Sequence, residues 1–120
     1  MTIRDVFHVA FQFKTTQQNG VLMSIVDRST GDAFFIELYD SQLKATLFVD
    51  GEADSCWTDF NKPVLSNDIW SDVEVNIVNN RLTMTVRNEA FSKTHRFPFR
   101  RPIRGDLFVA GYPSKKRLGN

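Results

Sequence analysis

Apolar residues recur at every second position through most of this chain, and that period restricts its fold more than any other feature. Phe7, Val9, Phe11 and Phe13 alternate with His8, Ala10, Gln12 and Lys14. Phe34, Ile36 and Leu38 alternate with Phe35, Glu37 and Tyr39. Leu43, Ala45, Leu47 and Val49 alternate with Lys44, Thr46, Phe48 and Asp50. Val73, Val75 and Ile77 alternate with Asp72, Glu74 and Asn76, and Leu82, Met84 and Val86 with Arg81, Thr83, Thr85 and Arg87. A strand places successive side chains on opposite faces, so each run has one apolar face and one mostly polar face. That is the pattern of antiparallel sheets buried on one side. The 11 Phe residues add a preference for strands.

Turn chemistry falls between the runs at Asn19-Gly20, Gly31-Asp32, Asp40-Ser41, Asp50-Gly51 and Asn79-Asn80. Asn tolerates positive φ, and Asn79-Asn80 joins two alternating runs directly, which predicts a tight hairpin. About seven strands with turns every 8–12 residues predict an all-β antiparallel sandwich or barrel. Phe11, Phe13, Leu47, Trp70, Val75 and Met84 are expected in its core.

A length of 120 residues fits one domain. A 42% hydrophobic and 24% charged composition excludes intrinsic disorder. No run of about 18 apolar residues exists to span a membrane. The opening MTIRDVFHVAF carries an acid and a His within its apolar stretch, so it is no signal peptide; if the protein is secreted, this chain is an excerpt. Cys56, the 1 cysteine, excludes an internal disulfide framework and a Cys-rich zinc site.

The net charge of +1 hides a split. Between Asp27 and Glu74 there are 11 acids and 3 bases; between Ala90 and Asn120 there are 8 bases and 1 acid. Lys93, Arg96, Arg100, Arg101 and Arg104 lie within 12 residues, and Lys115, Lys116 and Arg117 follow after one strand. Placed at adjacent strand ends, these side chains form a cationic patch. Arginine forks suit sulfate, carboxylate and phosphate groups. A solvated face that balances the acidic half is the competing account. Nucleic acid is not expected as a partner, because aromatic interleaving is limited to Phe97 and Phe99 around Pro98.

Catalysis finds little support. Asp72 and Glu74 share one strand face about 6.5–7 Å apart by strand rise, a separation suited to a glycosidase pair. An outward polar face explains them more simply. No H-E-x-x-H or G-x-S-x-G sequence accompanies His8 or His95. Cys56 sits among Glu52, Asp54 and Asp59, which disfavour a thiolate, so a buried thiol is expected, with a disulfide to residues outside this chain as the alternative. Trp57 beside it is a candidate exposed anchor.

Several blocks together resemble laminin G-like domains, the modules of laminins, neurexins, agrin and Crumbs-type proteins. Phe11-Gln12-Phe13-Lys14-Thr15, followed by Gly20-Val21-Leu22, resembles the family's F-x-F-+-T-x-x-x-x-G-L-L opening. Gly31-Asp32 and Ile36-Glu37-Leu38-Tyr39-Asp40 resemble G-D-F…I-E-L-x-x-G. Asp68-Ile69-Trp70 with Val73 and Val75 resembles D-G-x-W-H-x-V-x-V, and Leu107 to Pro113 resembles L-Y-I-G-G-x-P. Ser41, Ile69, Ser71 and Ala110 depart from that pattern. The blocks cover residues 7–113 in family order. The resemblance implies a concanavalin-A-like jelly roll over 1–113, with 114–120 a basic polar tail. Against the family pattern the first strand and the disulfide-bearing closing strands are absent. That leaves a trimmed piece, a divergent short module, or a module completed through edge-strand pairing with another chain.

The resemblance further implies an extracellular or ectodomain location and a non-catalytic recognition or adhesion role. The partner would be a protein receptor, a matrix component or a sulfated or acidic glycan, with no membrane insertion. In calcium-binding members the turn acid would be Asp32, with a carbonyl ligand near Val49. The second side-chain ligand should precede Leu107, where the sequence reads Arg100-Arg101-Pro102-Ile103-Arg104. Arginines there oppose a divalent cation, so no cofactor is expected and little stabilisation by calcium. Other carbohydrate-binding lectins of the same broad fold, such as galectins, are the alternative, although H-x-N-P-R and W-x-x-E-x-R are both missing. A concanavalin-like glycosidase ranks below that.

Overall fold

The computed structural model describes residues 2–3, 6–57, 68–86, 91–97, 101–109 and 112–113, with side chains at 7–57, 68–86, 94–97 and 101–109. The described residues form β1 (Thr2–Ile3), β2 (Val6–Phe13), β3 (Gly20–Val26), β4 (Ala33–Tyr39), β5 (Gln42–Val49) and β6 (Glu52–Trp57). They continue with β7 (Ser71–Val78), β8 (Arg81–Val86), β9 (Phe91–Arg96), β10 (Ile103–Arg104), β11 (Leu107–Val109) and β12 (Tyr112–Pro113). Two five-stranded sheets, ordered β11-β3-β4-β5-β6 and β12-β2-β7-β8-β9, pack face to face, and β1 pairs with β10. Every pairing is antiparallel. This is the all-β sandwich that the alternation predicts.

The core is built from the apolar half of each alternating run. Phe7, Val9, Phe11 and Phe13 of β2 join Val73, Val75 and Ile77 of β7 and Leu82, Met84 and Val86 of β8. From the other sheet come Ile25, Phe34, Ile36, Leu38, Leu43 and Leu47. In β3 two large side chains, Leu22 and Met23, are buried in succession. A β-bulge between Val21 and Met23 absorbs the extra residue and turns both side chains inward.

Three hairpins close with two-residue turns whose central residues both have positive φ: Asp40-Ser41 (50° and 67°), Asp50-Gly51 (54° and 79°) and Asn79-Asn80 (51° and 67°). That is the type I′ geometry, whose twist matches the flanking strands. The β3–β4 connection is longer. Gly31 N–H donates to Asp27 O at 2.7 Å and Asp27 N–H to Asp32 O at 2.8 Å, with Gly31 at φ 80°.

Of the residues expected in the core, Trp70 is misplaced by the sequence reading: it is 44% exposed. The odd-numbered residues of β7 face inward, from Ser71 to Ile77. Trp70 therefore has outward parity. It lines a depression at one end of the sandwich with Phe13, Val21 and Leu38. Phe11, Phe13, Leu47, Val75 and Met84 are buried as expected. Cys56 is a buried free thiol.

Candidate functional site

The opposite end of the sandwich gathers the charged turns. Phe97 N–H donates to Asn80 O at 2.8 Å, and its ring meets that of Phe34 edge-on at 6.0 Å. These contacts bring the β7–β8 turn and the chain leaving β9 beside the Asp27–Asp32 and Asp50-Gly51 turns. His95 Nε2 lies 3.3 Å from Asp54 Oδ2 and links the edge strands of the two sheets on one side.

Four arginines of this end distribute in two depressions, and a fifth lies between two acids. In register, Arg81 of β8 stands directly opposite Arg96 of β9. Both are exposed. With Asn76, Val78, Asn79 and Thr83 they line a shallow depression of about 400 Å³. Like charges placed directly opposite on neighbouring strands are destabilising. No ion pair among the described residues engages either guanidinium. Arg28 and Arg104 line a second depression of about 380 Å³ with Val26, Ser29 and Asp106.

Arg101 is arranged differently. Its Nε is 2.7 Å from Asp32 Oδ2, and its Nη2 donates to Asp32 Oδ1 at 2.9 Å and to Asp50 Oδ1 at 2.6 Å. Asp32 is only 1% exposed, so its charge is compensated within the protein. The hydrogen bonds to Asp50 and then Asp32 raise the Arg101 pKa further above its ordinary value. Asp27, close by, accepts from the Ser29 hydroxyl at 2.6 Å, the Ser29 N–H at 3.0 Å and the Arg104 N–H at 3.1 Å. Led by the Ser29 hydroxyl, these bonds hold its carboxyl at about 2, against 3.8 ordinarily.

Of the basic residues singled out in the sequence, Arg96, Arg101 and Arg104 thus reach the same end but three separate surroundings. Lys93 lies in β9 opposite Met84, and its side chain is outside the described set. Arg100, Lys115, Lys116 and Arg117 lie outside the described residues, as does the whole 114–120 tail. Arg81 and Arg28 were not among the residues singled out. Arg81 reads in sequence as one polar member of an alternating run, and only the β8–β9 register sets it against Arg96.

The remaining candidates divide between the two sheets. Asp72 and Glu74 share the outer face of β7, and Glu74 Oε2 lies 2.9 Å from His8 Nε2. Trp57 is 36% exposed and packs edge-on to Tyr39 at 6.4 Å. Lys44 Nζ sits over both rings, 4.6 Å from the Tyr39 centroid and 4.9 Å from that of Trp57. Among the described residues, no group of three or more His, Cys, Asp or Glu is placed to hold a metal ion.

The model of the Laminin G domain family matches residues 13–120. Among solved structures, the mouse laminin alpha1 chain, domains LG4-5, superposes with a TM-score of 0.73 at 17% identity, covering 98% of this chain and 31% of that one. The LG1-3 region of the laminin alpha2 chain superposes with a TM-score of 0.70 at 14% identity, covering 92% of this chain and 22% of that one. At these identities the likeness establishes the jelly-roll fold. This chain spans less than a third of either structure. No curated protein matches it in sequence.

Proposed function

This chain belongs to the laminin G domain family, whose members are typically extracellular binding modules, and from that premise we propose that it is a non-catalytic extracellular recognition module for an anionic partner. The partner class is a sulfated or acidic glycan, or a protein presenting acidic groups in the same way. The observation that carries this reading is the Arg81–Arg96 pair. Two guanidinium groups opposed across strands repel each other. A sulfate or carboxylate placed between two such forks would instead receive bidentate hydrogen bonds from both sides. Asn76, Asn79 and Thr83, which line the same depression, supply polar groups suited to hydroxyls.

Retention on immobilised heparin tests this directly. The wild-type chain should elute at a salt concentration well above that of Arg81→Ala/Arg96→Ala, because exposed charges act within about 8 Å at physiological ionic strength. Coincident elution would move the site away from this face. Arg101→Ala is unsuitable for the same test, since that side chain already bridges two acids.

A further inference from the structure

In laminin G-like domains that bind calcium the resemblance would place the ion at Asp32, and the residues present here do not fit that ion. A calcium ion takes six to eight oxygen ligands. The two carboxylates that converge on this position, Asp32 and Asp50, already face a cation. The Arg101 guanidinium touches Asp32 through Nε at 2.7 Å and through Nη2 at 2.9 Å, and reaches Asp50 at 2.6 Å. Asp32 Oδ2 makes no aligned hydrogen bond, and its close approach to Nε is a direct contact of opposite charges. The Asp50 N–H also points at Asp32 Oδ1, at 3.4 Å, which leaves that oxygen with two donors. A divalent ion within bonding distance of Asp32 would lie against the guanidinium and be repelled by it.

We propose that Arg101 is a built-in cation that takes the place of a divalent metal at the Asp32–Asp50 turn pair, so that this end of the domain is assembled without calcium. The single positive charge is delivered by the chain from the segment before β10 and ties three loops together. Those loops are the β3–β4 connection, the β5–β6 turn and the residues leading into Ile103. The planar fork spans two carboxylates in a way that a lysine ammonium, a point charge, does not reproduce. A metal-dependent rim would respond to chelators; this one responds to ionic strength and to the loss of one side chain. The inference concerns the assembly of the rim and stands apart from the anion-binding role of Arg81 and Arg96.

Thermal melting and calorimetric titration of the full 120-residue chain test it. Wild type should melt at the same temperature in EGTA and in 5 mM calcium chloride, against a magnesium control at matched ionic strength. Arg101→Ala in EGTA should melt lower by about 4 °C or more. Calcium should restore part of that loss, because two carboxylates are left without their counter-ion, and Arg101→Ala/Asp32→Asn should abolish the response. A heat of calcium binding to wild type with Kd below about 1 mM would overturn the proposal. So would an Arg101→Ala protein that folds and gains no calcium response. If Arg101→Ala does not fold, Arg101→Gln keeps the bulk of the side chain without its charge, and the same two outcomes apply to it.

Discussion

At the level of single residues, close contacts and shifted titrations identify where one atom matters. Gly105 lies in the turn between β10 and β11, where a methyl group would stand 2.1 Å from the Val26 carbonyl oxygen. Backbone cannot yield as a flexible side chain does, so Gly105→Ala should push β11 away from β3 and cost at least about 2 kcal/mol. Gly20→Ala, with open space around the site, should lie within about 0.5 kcal/mol of wild type. Denaturant melts of both variants decide this. Asp27 provides the pH probe. Its folded pKa, about 2, is below the ordinary 3.8, so its contribution is complete above pH 4 and is lost as the pH falls toward 2. Asp27→Asn should be less stable than wild type at pH 7, and the difference should shrink steadily across that acid window. A constant gap between the two melting curves from pH 5 to pH 2 would contradict the assignment. In sequence Gly105 and Asp27 are ordinary turn residues. The Asp27 carboxyl is held first by Ser29, two residues on, and then by the Arg104 N–H; that second partner, and the Val26 carbonyl against Gly105, are placed only by the packed chain.

The strands and hairpins are the level at which the sequence was most informative. Alternation in β2, β4, β5, β7 and β8 identified the inward residues, because a strand's period of two is a local property of the backbone. Turn residues identified the hairpins for the same reason: positive φ is tolerated by Asn, Asp and Gly at short range. Asn80, at φ 67°, offers a test. Asn80→Gly turns the pair into Asn-Gly, the preferred type I′ sequence, and should stabilise the domain by about 0.5–1 kcal/mol. Asn80→Val, which resists that φ, should destabilise it by more, and chemical denaturation reads both. Two things at this level escaped the sequence. The β3 bulge hides within an apolar stretch, and Trp70 carries outward parity just ahead of β7. Cross-strand rows were hidden as well. Glu37, Lys44 and Trp57 line up only through the β4–β5–β6 register, with Lys44 capped by two rings. Lys44→Ala should therefore red-shift and broaden the Trp57 contribution to fluorescence while costing about 0.5–1 kcal/mol.

Across the whole molecule, a small sandwich depends on the integrity of one core. Val75, fully buried in the middle of β7, makes the point: Val75→Asp places a charge where nothing can pair with it, and the chain should lose its cooperative melt. A sharp transition retained above 40 °C in that variant would refute the burial. Folding also rearranges the charge split seen in the sequence. The acidic and basic segments do not simply oppose each other: Arg101 is taken up by Asp32 and Asp50, 69 and 51 residues away, and the Arg104 backbone by Asp27. Arg81 comes from outside the basic segment to stand beside Arg96. The alternating period, the turn chemistry and the ordered motif blocks sufficed for the fold class and for the family likeness, because each is written in neighbouring residues. Which arginines remain available to a ligand, and which one serves the protein's own carboxylates, depends on strand register and on how the two sheets close over each other. Those are long-range pairings that composition and spacing do not encode, so one run of arginines supplies both the clasp at Arg101 and the Arg96 that stands open beside Arg81 of another strand.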